Sequence, residues 1–392
     1  MKNMAATLPC KILYVLSTSD KYGGSTKAFM NILDRLSPEN ITPYVITPQG
    51  GGVCDSLVEL GVEYKIIPYG LTLLPPTRNL KDYILYAPRL AKKLIMNVTA
   101  FASLLKYARK VNPDIIHTNV GPLDLGYRVA KKLNIPHVWH VREYQDLYFG
   151  MTYMFSKKEF IRKLNDGNAN YPIAITEELS EYFHMGDSAR VISDGVLDAS
   201  ATRFTSEKKK YFLFAGRLEE AKGVEELIIA FAAFNSEMPE SGYELFIAGD
   251  TQDNNYKRKL GYLTERLGLR GKVSFLGMRD DLNDLMFEAT ALIVPSRHEG
   301  FGLVAVEGMF NGCLVVGLNS AGTKKILKDG NGLLYLEHGE LVDILKGIAE
   351  RGVEEFFPMI TKAQETAVRL YSQEQNAEKI YELYSDILEK NK

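Results

Sequence analysis

Residues 211–223 read YFLFAGRLEEAKG, an apolar run that passes directly into a glycine, a group of charged residues and a second glycine. A run rich in aromatic and aliphatic residues and bounded by glycine is typical of a strand. The segment that follows has the length of a helix, so these residues predict one strand-turn-helix step of an α/β domain. In such domains ligands bind where the strands end, in the loops that lead into the helices.

The same alternation of short apolar runs with helix-length segments extends along the whole chain. It predicts two doubly wound, Rossmann-like domains, each built on a parallel sheet. Candidate strands in the first half are residues 11–17, 43–47, 64–68, 114–118, 137–141, 173–176 and 190–193. Those in the second half are residues 211–216, 243–248, 273–276, 291–295, 313–317 and 333–335.

The length of 392 residues favours two domains, because a single core seldom grows beyond about 250–300 residues. We place one domain at residues 1–200 and the other at 201–372, with a polar linker at 197–210 and a central cleft between the domains. In residues 373–392, Ile380, Leu383, Tyr384 and Ile387 recur at helical spacing. This spacing predicts an amphipathic helix.

Composition excludes several classes of protein. With 46% apolar and 24% charged residues the chain is that of an ordinary globular protein, and a net charge of -2 gives no general attraction to nucleic acid. Three widely spaced cysteines are typical of a reducing compartment. Residues 1–9 lack the apolar core of a signal peptide, and no apolar stretch is long enough to span a bilayer, so we expect a cytoplasmic protein.

Four segments that follow candidate strands carry residues suited to chemistry. In residues 215–223, the Arg217 guanidinium can donate a fork of hydrogen bonds to a diphosphate, and Lys222 adds a point charge. The alternative is a solvated loop whose cations pair with Glu219 and Glu220. In residues 17–27, Gly23 and Gly24 stand before a helix and allow backbone N–H groups to approach an anion; the alternative is a tight turn.

The third segment, residues 298–308, contains two glutamates eight residues apart. Glu299 and Glu307 lie a little over two helical turns apart, and Gly300 and Gly302 between them open a loop. The alternative is one capping acid and one exposed acid. The fourth segment comprises His117 and His140 at strand ends, where a histidine either hydrogen-bonds in the core or contacts a ligand; His140 precedes a predicted irregular loop at 144–170.

Taken together, Gly216-Arg217-Leu218 with Lys222-Gly223, the 299–307 segment and Val273–Gly277 resemble the retaining glycosyltransferases of family 4, with the GT-B fold. The resemblance implies an acceptor-binding first domain, onto which the terminal helix at 373–392 crosses back. It implies a nucleotide-diphosphate sugar bound mainly by the second domain, with UDP as the expected nucleotide. It implies diphosphate contacts from Gly216, Arg217 and Lys222, a sugar contact from Glu299 and a ribose contact from Glu307. It further implies backbone contacts from Gly300, Phe301, Gly302 and Leu303, a base-binding turn at Gly277, Met278 and Arg279, a diphosphate contact from Gly24, and His140 beside the transferred sugar.

The expected activity is transfer of a hexose-type sugar to a glycan or lipid-linked acceptor in cell-surface polysaccharide synthesis. His140, Arg217, Lys222 and Glu299 are the predicted catalytic residues. We expect no cofactor and no metal, since Asp280 and Asp281 have no further ligand-type residues beside them. Two alternatives remain: a hydrolysing nucleotide-sugar epimerase, and a catalytically silent nucleotide-sugar binding subunit.

Residues 78–110 combine basic residues with an apolar pattern. They carry eight lysines and arginines against the single acid Asp82. Such a segment favours contact with an anionic membrane surface, and hence a peripheral protein on the inner face of the cell membrane. The alternative is an ordinary helix pair with one solvated face. No nucleic-acid motif accompanies these cations, so we expect no nucleic-acid partner.

Overall fold

The computed structural model describes residues 9–36, 40–77, 80–167, 170–297 and 300–391. The chain divides into two compact units, Met1–Gly195 with Gln373–Lys392, and Val196–Ser372. This division lies close to the boundary that the sequence suggests between residues 200 and 201. In the part of the chain that the structure describes, no helix has the length and the apolar character needed to cross a membrane.

The first unit alternates strands and helices. Its strands are β1 (Cys10–Leu16), β2 (Ile41–Thr47), β3 (Glu63–Ile66), β4 (Leu73–Leu74), β5 (Ile115–Asn119), β6 (His137–Val141), β7 (Thr152–Tyr153), β8 (Asn170–Ala174) and β9 (Arg190–Val191). Its helices are α1 (Gly24–Leu36), α2 (Gly52–Glu59), α3 (Leu80–Val111), α4 (Leu125–Leu133), α5 (Gln145–Phe149), α6 (Lys157–Leu164), α7 (Glu177–Tyr182) and α15 (Gln373–Lys390).

Seven of these strands form one parallel sheet in the order β3-β2-β1-β5-β6-β8-β9. The chain turns from one direction across the sheet to the other between β1 and β5, so the loops after these two strands meet at a topological switch point. Strands β4 and β7 form a separate antiparallel pair. Apolar residues of α1, α2 and α15 cover one face of the sheet, and those of α3 and α4 cover the other.

The second unit has the same architecture. Its strands are β10 (Lys209–Ala215), β11 (Glu244–Ala248), β12 (Val273–Gly277), β13 (Ala289–Val294), β14 (Leu314–Leu318) and β15 (Leu333–Tyr335). Its helices are α8 (Val224–Glu237), α9 (Asn254–Arg266), α10 (Leu282–Glu288), α11 (Leu303–Phe310), α12 (Ala321–Leu327), α13 (His338–Arg351) and α14 (Phe357–Tyr371).

These six strands form a parallel sheet in the order β12-β11-β10-β13-β14-β15, with the switch point between β10 and β13. The core beneath β10 is aromatic: the Phe212 ring stacks on Tyr243 at 4.8 Å and meets Phe234 edge-on at 5.6 Å. The predicted fold class, α/β with two doubly wound parallel-sheet domains, is confirmed. Each of the predicted strands overlaps a strand of the structure, and among the strands of the described residues only the short pair β4 and β7 lacks a predicted counterpart.

Three local predictions need correction. Residues 197–210 are not a linker but part of the second unit, where Lys208 Nζ donates to the carbonyls of Phe287 (2.6 Å) and Gly312 (2.7 Å). Residues 144–170 are not irregular, because they contain α5, β7 and α6. The alternative reading of the basic segment as a helix pair is also wrong, because α3 is one helix of 32 residues with Pro88 inside it.

Candidate functional site

The turn after β10 is held by backbone contacts to the end of β11. Gly216 N donates to Ala248 O (3.0 Å), and Leu218 N donates to Asp250 O (3.0 Å). Gly249 has φ 140°, and a Cβ built on it would lie 1.8 Å from Gly216 O. Only glycine therefore permits these two strand ends to approach so closely.

Arg217 and Lys222 lie on this turn. The Arg217 guanidinium is 3.0 Å from the Glu219 carboxylate, and about two thirds of the Arg217 side chain is exposed. The pairing with Glu219 therefore agrees with the alternative of a solvated loop, but an exposed pair of this kind is worth only about 0.2–1 kcal/mol. An anionic ligand can displace Glu219 at little cost. Lys222 ends a short 3-10 helix over Glu220–Lys222 and is half-buried.

The turn after β10 touches the loop after β13. Ser296 Oγ donates to Ala221 O (3.4 Å), and Arg297 N donates to the same carbonyl (3.2 Å). Gly223 has φ 70°, and a Cβ built on it would lie 2.3 Å from Pro295 O. The two loops that flank the switch point of the second sheet are thus locked together.

The loop after β13 leads into α11 through Gly300, Phe301 and Gly302. Phe301 is buried and its ring meets Tyr371 at 5.4 Å, which fixes the loop to the end of α14. Gly302, with φ 100°, is the N-cap of α11 and has no side chain to accept from the first-turn N–H groups. Those groups, beginning at Leu303, can donate to an anion. His298 and Glu299 lie outside the described residues, so the predicted sugar contact of Glu299 stays a prediction.

Glu307 lies one turn after Leu303 on the same helix. Its side chain is almost fully buried, at 7% exposure. Its backbone carbonyl accepts from Asn311 N (3.1 Å) and Asn311 Nδ2 (2.8 Å). A carboxylate at this depth is neither a capping acid nor an exposed one; whether it binds a ribose remains a prediction.

The predicted base-binding turn follows β12, an outer strand of the same sheet. Gly277 has φ 68° and its carbonyl accepts from Gly249 N (2.8 Å), which ties the turn to the end of β11. Met278 is exposed, and Arg279 Nε donates to Asp281 Oδ1 (2.7 Å), a contact that lowers the pKa of Asp281. β12 is separated from β10 by β11, so this turn lies roughly 10 Å from the Arg217 turn along the sheet.

In the first unit His140 belongs to a buried polar network. The His140 ring has no exposed surface, stacks on His117 at 5.5 Å, and its Nδ1 lies 3.2 Å from the Arg142 guanidinium. His117 Nδ1 in turn hydrogen-bonds the Tyr384 hydroxyl of α15 (2.6 Å). The His140 ring is thus buried in this network, and its predicted place beside the transferred sugar stays a prediction.

The network contains a buried ion pair that the sequence analysis missed. Arg142 and Asp194 form a salt bridge, and both side chains are almost completely buried. Burial raises the pKa of Asp194, and the neighbouring Arg142 opposes that shift. Burial also holds the pKa values of His117 and His140 well below their ordinary range, and the positive charge of Arg142 lowers them further. Both rings are therefore neutral at physiological pH.

Arg142 also connects this network to the start of α1. Arg142 Nε donates to Asn119 Oδ1 (3.1 Å), and Asn119 Nδ2 donates to Ser25 O (3.2 Å) beside Gly24. Gly24 is exposed and is the first residue of α1, so the predicted anion-binding turn rests on the network at the switch point between β1 and β5. A signal was present in the sequence: Arg142 is a charged residue directly after an apolar strand.

Among the described residues, no group of three or more histidines, cysteines, aspartates or glutamates is arranged to hold a metal ion. The absence of a cofactor and of a metal therefore stays an expectation of the sequence analysis. Asp280 and Asp281, the acidic pair considered in the sequence analysis, belong to no such group, and Asp281 forms an ion pair with Arg279.

The match to a known protein family lies in the second unit. Residues 199–350 match the model of the family Glycosyl transferases group 1. An uncharacterized glycosyltransferase of Methanocaldococcus jannaschii is 30% identical over 189 residues, which are 47% of this chain and 46% of that protein. Mannosylfructose-phosphate synthase of Agrobacterium fabrum is 28% identical over 255 residues, 56% of each protein. The chain thus matches about half the length of these relatives.

Solved structures match nearly the whole chain. The crystal structure of Anabaena HepE in complex with UDP superposes with a TM-score of 0.78 at 20% identity, over 96% of this chain and 100% of HepE. The complex of HepE with UDP-glucose gives a TM-score of 0.76 over the same shares at 20% identity. Residues 199–350 thus match the family model of glycosyl transferases group 1, and the chain has the two-domain GT-B fold of these solved structures.

Proposed function

We propose that this protein is a retaining glycosyltransferase that moves a hexose-type sugar from a UDP-sugar to a glycan or lipid-linked acceptor in cell-surface polysaccharide synthesis. The family match of residues 199–350 supports sugar transfer, and the HepE complexes with UDP and UDP-glucose support the donor class. Relatives named as mannosyltransferase and lipopolysaccharide core glycosyltransferase support the acceptor class.

The observation that carries the proposal is the contact between two loops at the switch point of the second sheet. Ala221 O joins the Arg217–Lys222 turn to the loop that ends at Gly302. Two cations and the first-turn N–H groups of α11 then belong to one edge of the sheet, although they come from distant parts of the sequence. Cations and oriented N–H groups are the donors that bind a diphosphate.

The reaction follows from where charge develops. The bond between the anomeric carbon and the diphosphate oxygen breaks, and the diphosphate leaves with the electron pair. The acceptor hydroxyl oxygen bonds to the anomeric carbon on the same face, and its proton passes to the departing phosphate. Arg217 and Lys222 stabilise the negative charge that grows on the leaving group. Such electrostatic stabilisation of a developing charge is usually the largest single contribution to an enzyme's rate enhancement.

The donor site is tested by UDP binding, measured by calorimetry. Arg217→Ala and Lys222→Ala each remove a charge-assisted contact of about 1.5–3 kcal/mol, so the affinity for UDP should fall roughly ten- to hundredfold. The matched controls are Lys209→Ala at the opposite end of β10 and Arg351→Ala at the end of α13, both exposed and ion-paired. Unchanged UDP affinity in both site variants would contradict the proposal.

Turnover separates the proposal from its alternatives. With a UDP-hexose and an acceptor, the glycosidic product should keep the donor's anomeric configuration in its proton NMR coupling constants. Formation of an epimeric sugar without acceptor would identify a hydrolysing epimerase. UDP binding without any turnover of UDP-hexoses, in the presence of the membrane fraction that supplies acceptors, would identify a silent binding subunit.

A further inference from the structure

Helix α3 of the first unit presents three distinct faces. Placed on a helical wheel at about 100° per residue, its buried residues fall within an arc of roughly 100°. They are Asn97, Ala100, Leu104, Tyr107, Ala108 and Val111. Every one of them lies in the second half of the helix, so the first half contributes none of the fully buried residues.

An exposed apolar stripe lies next to this buried arc. It consists of Leu80, Tyr83, Ile84, Leu94, Ile95 and Val98, whose exposure ranges from 39% to 76%. On the wheel these residues fall within about 120°, and the small residues between them, Ala87 and Ala91, fall in the same arc. An apolar patch of this size that stays in contact with water marks an interaction surface.

A row of lysines borders the stripe on the side away from the core. Lys81, Lys92, Lys106 and Lys110 are all exposed and fall within roughly 40° of one another on the wheel. The single acid of the helix, Asp82, is already paired with Arg89 at 3.0 Å. The exposed face of α3 is therefore apolar along its middle and positive along one border.

Hydrogen bonds from α3 to Gly70 and Leu73 hold the helix in place. Asn97 Oδ1 accepts from Gly70 N (3.0 Å), and Asn97 Nδ2 donates to Gly70 O (3.1 Å). Lys93 Nζ donates to the carbonyl of Leu73 in β4. These contacts fix the rotation of α3 about its axis, so the stripe and the lysine row have a fixed orientation on the surface.

We infer that this face of α3 docks on an anionic lipid bilayer, with the stripe in the headgroup boundary and the lysines on lipid phosphates. A stripe about 27 Å long on one side of a helix suits a plane, and a helix with an apolar face and a basic border is the arrangement that binds anionic bilayers. A second copy of the chain fits poorly, because it would bring two helices with seven cations each and one acid each into contact.

This inference rests on the proposed function in one respect: a bilayer that holds α3 also supplies a lipid-linked acceptor. The binding itself needs no turnover. Vesicle binding and UDP binding are measured separately, so failure of one leaves the other standing. The predicted segment began at Arg78, which lies outside the described residues; the stripe begins at Leu80.

The stripe is tested by flotation of the full-length protein with vesicles of phosphatidylcholine and phosphatidylglycerol. Ile84→Asp with Ile95→Asp should lower the bound fraction at least tenfold, since each places a carboxylate in the apolar boundary. The matched control is Val58→Asp on α2 of the same unit, because Val58 is 65% exposed and Ile95 is 67% exposed. Equal binding of the Ile84→Asp, Ile95→Asp variant and the wild type would overturn the inference.

The lysine row is tested with the same vesicles. Lys92→Glu with Lys106→Glu should reduce binding at least tenfold, and vesicles of phosphatidylcholine alone should bind the wild type weakly. Lys209→Glu with Lys210→Glu, the same charge change on the second unit, should bind like the wild type. A bound fraction that changes neither with the Lys92→Glu, Lys106→Glu substitutions nor with the lipid charge would overturn the inference.

Two further measurements test whether the stripe of α3 enters the bilayer and whether a second copy of the chain covers the stripe instead. Ile95→Trp should shift its fluorescence to the blue on anionic vesicles, whereas Val58→Trp should not; the native Trp139 is buried and gives a constant background. Light scattering should give a monomer for the wild type. A dimer that Ile95→Asp dissociates would assign the stripe to a second copy of the chain and overturn the inference.

Discussion

Arg142 and Asp194 are buried together at the carboxyl ends of the first sheet, in contact with His140 and Asn119. Two charges removed from water are tolerated only when each satisfies the other, and the pair by itself is weak evidence of stability. Its effect lies in position: Arg142 also hydrogen-bonds Asn119, which holds the first turn of α1. The pair therefore fixes the place where Gly24 is expected to meet the diphosphate.

Asp194→Ala should destabilise the first unit by about 3–5 kcal/mol, because it leaves the Arg142 charge buried without a partner. Trp139 is the single tryptophan of the chain and lies in the first unit, so its fluorescence during urea unfolding reports this unit. The control is Asp386→Ala, which breaks the exposed ion pair with Arg190 and should cost less than about 1 kcal/mol. Equal costs for the two variants would contradict the role given to the buried pair.

The buried histidines predict a pH dependence of stability. Burial lowers the pKa of His137 to about 4 and holds those of His117 and His140 well below the ordinary value. The pKa values of these histidines are lower in the folded protein than in the unfolded chain. The free energy of unfolding is therefore at its full value above a pH of about 6.5, where the rings are neutral in both states. Their contribution to it is lost as the pH falls toward the folded values, with a slope of up to about 1.4 kcal/mol per pH unit for each ring.

Urea unfolding followed by Trp139 fluorescence, repeated from about pH 7.5 down to about pH 5, measures this slope. The free energy of unfolding should be nearly constant in the upper part of the range and should decrease steadily below about pH 6.5. A free energy of unfolding that stays constant down to about pH 5 would mean that these rings are not held neutral by the fold.

At the scale of the elements, the second unit depends on how closely the ends of β10 and β11 approach. Gly249 and Gly216 meet backbone to backbone, and the same contact carries the Arg217 turn. The turn after β12 is joined to it through Gly249 N and Gly277 O. One glycine thus couples the predicted diphosphate and base contacts.

Gly249→Ala should destabilise the second unit by more than about 3 kcal/mol and weaken UDP binding, since its Cβ would overlap the Gly216 carbonyl. The matched control is Gly261→Ala in α9, where a Cβ meets no described atom within 4 Å. That change should raise stability by up to about 1 kcal/mol through helix propensity. Calorimetric melting and UDP titration of both variants measure the difference, and a Gly249→Ala protein that melts and binds like the wild type would refute the argument.

At the scale of the whole molecule, the two units are not consecutive in the sequence. Helix α15 follows the second unit along the chain but packs on α1 and the first sheet, where Ile380, Leu383, Tyr384 and Ile387 are buried. Burial of four such side chains stabilises by on the order of 6–12 kcal/mol, which is comparable to the stability of an entire domain. The core of the first unit is therefore incomplete without α15.

A chain that ends at Ser372 should lose the cooperative urea transition of Trp139. A chain that ends at Leu388 lacks, among the described residues, only the exposed Glu389, Lys390 and Asn391, and it should keep that transition. Circular dichroism and the Trp139 fluorescence of both chains provide the measurement. A cooperative transition at the wild-type urea concentration in the chain that ends at Ser372 would show that α15 is not part of the first core.

The elements and the fold class could be predicted because strands and helices have local patterns: the runs around Tyr211–Gly216 and His137–Val141 are apolar over the length of a buried strand. The loops carrying Arg217, Gly302 and Met278 could be predicted for the same reason, since a parallel sheet brings all its strand ends to one edge. The short pair β4 and β7 carried no such pattern, being two residues long each.

The amino-acid sequence alone therefore determined the α/β class, the strands and the cations and glycines at their ends. Only the tertiary structure decided that His140 is buried, that Asp194 neutralises Arg142, that Tyr384 reaches His117 and which face of α3 stays exposed. These facts depend on pairs of residues from about fifty to several hundred positions apart, and local periodicity carries no information about such pairs.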